Sequence, residues 1–388
     1  MPSAHRKEIY EADTHMMEHP NWIYDFADED IKEHLEPIIE GDYEALERID
    51  AALNNFELRQ SSPQLLEEAK KQFMNWNHKG WEGLGAFDAN ERKLANDLLG
   101  FKAHIVFPTS AFDQVLADKV DRLIIGGVEA LNRGMASFCS VDSRMHGAAY
   151  VPFAFGAEKA LDFLREAIRS GFSVIMIDTI APEGRQAFTH PDFDIVWTEI
   201  QENDITITLH VGADNGWDPV PLSFYNNDGQ VPPHKEGDAP RDALAYMGIS
   251  YNAELFLASM IFDGIFQRFP LLRVGVVELG ASWIISWMKQ LDQSFRAFRR
   301  LQDLSQVKLL PSEYVMKHIK LTPFAGEDIG WLLNNGAEDL LMFASDYPHH
   351  EGTDDPISRF EKTMIGINED KKSKFYSENF KSLLGSHL

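Results

Sequence analysis

The stretch LLMFASDYPHHEG, residues 340–352, joins a short apolar run to a cluster of polar residues. Residues 340–344 have the character of a buried β-strand, and Asp346, His349 and His350 follow almost at once. A loop that only reverses the direction of the chain needs neither an acid nor two imidazoles. The stretch therefore predicts a buried strand whose carboxyl end carries functional groups.

Seven further apolar runs occur along the chain, each followed by turn residues and then by a longer helical pattern. With the first they cover residues 8–15, 101–110, 147–153, 172–180, 205–212, 273–280, 318–324 and 340–346. Continuous runs with few polar breaks are typical of parallel strands that are buried on both faces. The alternation of strand and helix predicts an α/β fold, the (β/α)8 or TIM barrel. An open doubly wound sheet is the alternative, but no glycine-rich phosphate turn follows the first strand.

Helices are expected between the strands, for example at residues 156–171, 254–270 and 283–301. Two regions exceed this repeat. Residues 20–100 are polar, helical in pattern and rich in tryptophan, whereas residues 213–252 are rich in Gly, Asn, Asp and Pro. They follow the first and fifth strands, at the barrel face where active sites lie. We expect a single domain over residues 1–388 in which both insertions wall a pocket and the first also contributes to a dimer interface.

The composition excludes several classes of partner and site. There are 36 basic and 61 acidic side chains, and the formal net charge of −25 argues against nucleic acid and anionic membranes as partners. The single cysteine, Cys139, excludes an internal disulfide and argues against a thiolate metal site. Neither a signal-peptide pattern nor a long apolar span is found, so we expect a cytoplasmic protein that acts on a small molecule.

Ionisable side chains lie at the ends of four predicted strands. Asp13 and His15 end the first strand and share one of its faces, because side chains alternate along a strand. His210 ends the fifth strand, Glu278 the sixth and Asp346 the eighth. Taken singly, such residues more often form turns or satisfied hydrogen bonds. Strand ends converge at one mouth of a barrel, however, and five buried ionisable groups there predict a site for Zn, Mn or Fe.

The order of several motifs resembles the amidohydrolase superfamily, in particular the branch that contains aminocarboxymuconate-semialdehyde decarboxylase and the aromatic acid decarboxylases. These motifs are DTHMMEHP (13–20), FPT (107–109), LHVG (209–212), RFPLLRVGVVELGASW (268–283), FASDYPHHEG (343–352) and ENFKSLLG (378–385). The resemblance implies a barrel in which Asp13 and His15, His210 and Asp346 bind a divalent metal. It also implies that Asp346 transfers a proton.

The sequence differs from the superfamily pattern on three strands, although many members of that branch also lack the ligand on strand four. Asp13 stands where the superfamily has a histidine, and Asp178 is the only acid on strand four, where the superfamily has a lysine or carboxylate ligand. Glu278 stands where the decarboxylases have a histidine that is followed shortly by an acid. Glu278 could therefore bind or bridge metal.

The sequence also offers ligands for a second metal ion. Glu18, together with His349 or His350, could complete a second site beside Glu278. A minority of proteins that resemble this branch are dinuclear oxygenases, and an oxygen-rich site with two ions suits that chemistry.

Three functions follow from these expectations. The first is a metal-dependent hydrolase or non-oxidative decarboxylase for a small carboxylate or aromatic substrate, with Asp346 and Glu278 as catalytic residues and Trp217 and Trp283 in the pocket wall. The second is a dinuclear iron or manganese oxygenase on the same barrel. The third is a non-catalytic metal-binding subunit that works with a paralogous chain. Metal count and oxygen dependence distinguish the first two functions.

Overall fold

The computed structural model describes residues 8–35, 43–75, 78–116, 120–213, 220–225, 242–350 and 352–388. Its centre is a seven-stranded sheet in which the strands follow one another in sequence order and every neighbouring pair is parallel. The strands are β1 (Ile9–His15), β2 (Phe101–Phe107), β3 (Met145–Tyr150), β4 (Val174–Met176), β5 (Thr206–His210), β6 (Arg273–Val277) and β7 (Ile319–Leu321). The predicted α/β class and parallel sheet are confirmed.

The predicted eighth strand does not form as a regular strand. Residues in this segment instead make isolated bridges, in which Leu341 pairs with Leu321 of β7 and Tyr347 pairs with Thr14 of β1. One segment thus connects the first and last strands, and the sheet curls, which is consistent with the predicted barrel. The chain leaves the extended conformation at Asp346, between the two bridges, where φ is 55°.

Helices lie between successive strands and cover the sheet. The α-helices are α1 (Glu29–Lys32), α2 (Tyr43–Ser61), α3 (Pro63–Gln72), α4 (Ala89–Leu99), α5 (Ser110–Leu116), α6 (Asp121–Cys139), α7 (Ala157–Arg169), α8 (Asp194–Glu202), α9 (Ala243–Gly248), α10 (Tyr251–Phe262), α11 (Ile265–Arg268), α12 (Ile284–Phe298), α13 (Pro311–His318), α14 (Ile329–Asn334), α15 (Pro356–Thr363), α16 (Glu369–Ser373) and α17 (Asn379–Leu384). Short 3₁₀ helices occur at Trp22–Asp25, Gly80–Glu82, Phe153–Phe155, Pro191–Phe193, Leu222–Phe224 and Gly385–His387, and a π-helical turn at Lys374–Glu378. No helix of the described residues is long and apolar enough to cross a membrane.

Helix boundaries agree with the expectations at two of the three quoted positions. Helix α7 lies within residues 156–171 and α12 within residues 283–301. The helix expected at residues 254–270 is divided into α10 and α11, because Gly264 adopts a left-handed backbone with φ of 76°. Such a residue ends the regular hydrogen bonding of a helix.

The strands are buried on both faces, which explains their continuous apolar sequence. Every residue of β4 and β5 is buried, as are the last four residues of β6. The two threonines of β5 do not leave their hydroxyls unsatisfied: Thr206 donates to the carbonyl oxygen of Leu383 at 2.8 Å, and Thr208 to that of Ile175 at 2.7 Å. A rigid apolar sheet therefore supports the residues at its carboxyl ends.

Between β1 and β2 the structure describes four α-helices, α1 to α4, where the first insertion was expected. Most of the second expected insertion lies outside the described residues.

Candidate metal site

Six buried side chains meet at the carboxyl ends of the strands. They are Asp13, His15, His210, Glu278, Asp346 and His349. Two of them belong to β1, one is the last residue of β5 and one directly follows β6. Asp346 lies within the segment that bridges β7 and β1, and His349 follows that segment. The structure thus brings together side chains that are more than 300 residues apart in the sequence.

Asp13, His15, His210 and Glu278 form the first group of possible ligands. Each offers one ligand atom, and these atoms all lie within 4.8 Å of one another. Asp13 Oδ1 lies 3.2 Å from His15 Nε2 and 3.6 Å from His210 Nε2. Glu278 Oε2 lies 3.5 Å from His210 Nε2. Imidazole nitrogens and carboxylate oxygens in such a set suit Zn, Mn or Fe.

A second group shares two members with the first and consists of His15, Glu278, Asp346 and His349. Asp346 Oδ1 lies 3.0 Å from His349 Nδ1 and 3.7 Å from His15 Nε2. The rings of His15 and His349 stack with their centroids 3.8 Å apart. The two groups therefore lie side by side, and His15 and Glu278 lie in both.

Hydrogen bonds at Nδ1 determine which nitrogen of each histidine faces the acids. His210 Nδ1 lies 2.8 Å from the carbonyl oxygen of Val211, which can only accept, so Nδ1 carries the proton. Nε2 of a neutral His210 then presents its lone pair to Asp13 and Glu278. His15 Nδ1 lies 3.1 Å from Thr109 Oγ1, and its Nε2 also faces the carboxylates. This orientation is the one that a histidine ligand requires, so the residues present fit a divalent ion.

The electrostatics of the site keep its donors in the states that bind metal. Burial alone would raise the pKa of Asp13, but hydrogen bonds and attraction to His15 and His210 outweigh it and lower that pKa below its usual value. Burial, with the nearby His349, lowers the pKa of His15 well below its usual value, although Asp13 opposes this. At neutral pH Asp13 is therefore ionised and His15 is neutral.

Both acids that follow strands have an unusual backbone. The φ angle is 56° at Glu278 and 55° at Asp346, and the only other non-glycine residue with positive φ among the described residues is Asp204. A left-handed conformation costs a non-glycine residue about 1–3 kcal/mol and tends to occur at functional sites. The backbone amide of Glu278 donates to Thr322 Oγ1 at 2.9 Å, which helps to hold this conformation.

The other residues expected near a second ion lie elsewhere. Glu18 belongs to neither group; its carboxylate accepts hydrogen bonds from the backbone amides of Thr109 at 3.1 Å and Ala111 at 3.2 Å. Burial raises the pKa of Glu18 to about 7. His350 also belongs to neither group and lies against Gly80. Of the three extra ligands considered, the structure brings only His349 to the centre.

Of the two tryptophans expected in the pocket wall, the structure describes only Trp283. Trp283 is half-buried, and its indole nitrogen donates to the carbonyl oxygens of Leu279 at 3.2 Å and Gly280 at 2.9 Å, so it packs against the loop that follows Glu278. Trp217 lies outside the described residues.

The structure shows the contacts of two further polar residues near the strand ends, Asp178 and Thr109. Asp178 accepts hydrogen bonds from the Tyr150 hydroxyl at 2.6 Å and the Ala154 amide at 2.9 Å, and it belongs to neither ligand group. Thr109 was missed: its hydroxyl lies 2.9 Å from His349 Nε2 as well as beside His15. Its place in the FPT motif at the end of β2 was the available signal.

A family model of known proteins agrees with the resemblance that the sequence motifs indicated. The family model described as amidohydrolase matches residues 107–385, which is more than half of the chain. No curated protein matches the sequence.

Solved structures resemble this chain over nearly its whole length. An amidohydrolase from Mycobacterium avium subsp. paratuberculosis K-10 has a TM-score of 0.72 at 16% identity and covers 98% of this chain and 100% of its own. The 5-carboxyvanillate decarboxylase from Sphingomonas paucimobilis has a TM-score of 0.62 at 16% identity, with 97% and 98% covered. That from Novosphingobium aromaticivorans DSM 12444, complexed with manganese and 4-hydroxy-3-methoxy-5-nitrobenzoic acid, has a TM-score of 0.62 at 18% identity, with 99% and 97% covered. At these identities the likeness shows a shared fold.

Proposed function

We propose a function for this chain, which belongs to the amidohydrolase family and is a metal-dependent enzyme, a hydrolase or a carboxy-lyase. Within that class we propose hydrolysis of a small aromatic or carboxylate substrate, with non-oxidative decarboxylation as the alternative reaction. The observation that carries the proposal is the convergence of three carboxylates and two anchored imidazoles at the carboxyl ends of the strands. The proposal takes the curled sheet as the barrel of this family and the chain as a single domain.

We propose Asp13, His15 and His210 as ligands of one divalent ion. Glu278, which lies in the same ligand group, and Asp346, which shares the second group with His15, are proposed as further ligands or as groups that act on the substrate. Manganese is among the candidates, because it accepts both imidazole and carboxylate ligands. A divalent ion in this position supplies Lewis acidity, which polarises a substrate carbonyl and makes water more acidic.

The charge of the donor set favours hydrolysis over decarboxylation. Asp13, Glu278 and Asp346 carry three negative charges when ionised, and one divalent ion neutralises two of them. A centre that remains negative repels an anionic substrate and so weakens binding of the carboxylate that a decarboxylase must bind. A substrate with an uncharged carbonyl at the reacting position does not meet this repulsion.

Asp346 is the best candidate for the group that moves a proton. Its Oδ1 lies 3.0 Å from His349 Nδ1, and His349 Nε2 lies 2.9 Å from the Thr109 hydroxyl. Asp346 can accept a proton from water during attack, and His349 can stabilise either state of the carboxyl group by a hydrogen bond. Glu278 Oε2 lies 3.8 Å from His15 Nε2 and can orient the substrate or share the proton transfer.

A dinuclear oxygenase is the second candidate, and the second ligand group is the observation that favours it. Because Nε2 of His15 can bind only one ion, a further ion beside the first would be held by Asp346 and His349, and Glu278, which lies in both groups, could bind either ion. Two divalent ions would more than balance three carboxylates, and iron or manganese in such a site suits reaction with dioxygen.

Metal analysis and a substrate panel test the proposal. The purified chain is loaded with Mn²⁺ or Fe²⁺, its metal content is measured, and it is offered aromatic esters and amides, benzoic acids, and the same compounds with and without oxygen. One ion per chain with release of acid from an ester or amide would support hydrolysis. Carbon dioxide release from a benzoic acid would favour decarboxylation instead, and two ions with oxygen-dependent turnover would replace both with an oxygenase. A chain that binds no divalent ion would refute all three.

A further inference from the structure

Glu278 and Asp346, the two acids with a left-handed backbone, are each followed by a loop that is bound by a distant charged side chain. The loop after each of them bonds to a buried charged residue that belongs to neither ligand group. The loop after Glu278 bonds to the carboxylate of Glu327, and the loop after Asp346 bonds to the ammonium group of Lys79. We call Glu327 and Lys79 the clamp residues.

Glu327 binds the loop after β6 through a cluster of backbone amides. Its carboxylate accepts hydrogen bonds from the amides of Ala281 at 2.9 Å, Ser282 at 2.6 Å and Phe324 at 2.7 Å. Glu327 is only 9% exposed, so these bonds are made away from bulk water. Successive amides that point at one anion form a strong and directional site. The bonds fasten the loop after β6, which begins at Glu278, to the loop after β7.

Lys79 makes the complementary arrangement with carbonyl oxygens. Its ammonium group donates to the carbonyl oxygens of His349 at 3.0 Å, Gly352 at 2.6 Å and Thr353 at 3.1 Å. Lys79 is 1% exposed and comes from the segment before β2, about 270 residues away in sequence. Even a methyl group on Gly352 would collide with the carbonyl oxygen of Ser345, so this loop folds tightly back onto the residues at the metal site.

We infer that Glu327 and Lys79 are positioning residues that hold Glu278 and Asp346, the latter together with His349, in the geometry that binds metal. This inference rests on the proposed function. A left-handed backbone at a non-glycine residue relaxes unless its surroundings oppose the relaxation. Each clamp residue supplies that opposition, since a single charge binds three backbone groups, which lie three to seven residues after the strained acid or, for Phe324, on the facing loop.

The variants Glu327→Gln and Lys79→Met test the inference, because each retains the length of the side chain and removes its charge. The dissociation constant of Mn²⁺ is expected to rise about 10- to 100-fold in each variant, which is the usual cost of losing a group that orients metal ligands. The visible absorption spectrum of the Co²⁺-loaded protein should also change, because the ligand geometry changes. Amide hydrogen exchange should become faster at residues 279–283 in Glu327→Gln and at residues 349–353 in Lys79→Met. If Lys79→Met does not fold, Lys79→Arg replaces it and should shift both readouts in the same direction.

Arg273→Met is the matched control at the opposite end of the sheet. Arg273 donates to the carbonyl oxygens of Leu383 at 2.6 Å and Asp204 at 2.7 Å, and Asp204 is the third left-handed residue. This variant should lower the unfolding midpoint but leave the Mn²⁺ dissociation constant and the Co²⁺ spectrum as in the wild type. Clamp variants that fold and retain wild-type Mn²⁺ binding and spectra would overturn the inference. If the wild type binds no Mn²⁺, the proposed function fails, and unchanged hydrogen exchange in the two loops would then overturn the inference separately.

Discussion

Four of the buried histidines of this protein can be compared as two pairs, one at the candidate metal site and one outside it. His15 and His210 lie at the carboxyl ends of strands, whereas His104 lies within β2 and His318 ends α13. The side chains of all four are almost inaccessible to solvent. Burial alone therefore does not separate a functional histidine from a structural one.

The pKa of a buried histidine does not distinguish the two pairs either. Burial lowers the pKa of His15 and of His104 well below the usual value, and it lowers the pKa of His318 to about 4. The Nδ1 atoms of both pairs are also anchored: His104 Nδ1 lies 2.8 Å from Thr14 Oγ1, and His318 Nδ1 lies 2.8 Å from the carbonyl oxygen of Leu272.

What differs is the surroundings of each ring. His15 and His210 have carboxylate oxygens within 3.2–3.6 Å of Nε2. His318 instead stacks on Phe266 with the ring centroids 4.4 Å apart, and the ring of His104 lies near that of Phe101. A metal site is thus recognised by the acids that face a buried imidazole, and five variants test this distinction.

The largest effect is expected from His210→Ala. Loss of a ligand that faces both Asp13 and Glu278 should weaken metal binding by more than the roughly 10- to 100-fold that loss of an orienting residue costs, so the purified variant should retain no metal. Elemental analysis of the protein measures this. Full occupancy in the variant would show that the site is misplaced.

Glu278→Gln should lower kcat about 100-fold or more on whichever substrate the wild type hydrolyses, because a carboxylate that transfers a proton or orients the substrate becomes a neutral amide. Its control is Glu254→Gln, since Glu254 is a partly buried acid on α10 that bonds to Ser250 at 2.7 Å. Equal kcat in Glu278→Gln and the wild type would return Glu278 to a structural role.

His349→Ala and His350→Ala distinguish one ion from two. If a single ion is bound, His349→Ala should retain it and lose about 10-fold in affinity, because His349 orients Asp346 through the bond at 3.0 Å. His350→Ala should have the smaller effect, since His350 lies in neither ligand group. A decrease from two ions to one in His349→Ala would instead establish the dinuclear centre.

The smallest effect on the metal site is expected from His318→Gln, which should leave Mn²⁺ affinity unchanged. It should, however, alter the stability of the fold in acid. The pKa of His318 is about 4 in the folded chain, compared with an ordinary value of 6.5, so the unfolded chain binds an extra proton between these pH values. Stability should therefore fall as the pH decreases below 6.5, by about 2 kcal/mol at pH 5.

The free energy of urea unfolding at pH 7.5 and pH 5 measures this effect. The wild type should lose more stability between these pH values than His318→Gln. Equal losses would mean that His318 does not contribute to the acid sensitivity.

Much of the fold could be predicted because buried parallel strands have a strong sequence pattern. All seven regular strands overlap predicted runs. The eighth was predicted from the same pattern, yet it pairs only through isolated bridges. The chain leaves the extended conformation at Asp346, and no local sequence signal predicts that change. The division of the helix at Gly264 was missed for a similar reason, since a single glycine within a helical pattern is often tolerated.

The candidate site was predictable where it depends on strand periodicity. Asp13 and His15 share a face because they are two residues apart in β1, and His210 and Glu278 were identified because they directly end their strands. Glu18 follows the same strand and was expected to extend the site. Its carboxylate instead accepts hydrogen bonds from the backbone amides of Thr109 and Ala111, and it belongs to neither ligand group.

The sequence by itself determined the class of fold and which polar residues end the strands, because the alternation of apolar runs and terminal polar residues is a local property of the chain. The family was indicated separately, by the resemblance of several motifs. Only the tertiary structure decided how those residues are held. Lys79 lies about 270 residues before the carbonyl groups that it binds, and Glu327 reaches amides more than 40 residues earlier. These contacts depend on how distant loops fold together, and a charged side chain in a loop has the same local sequence whether it faces water or backbone.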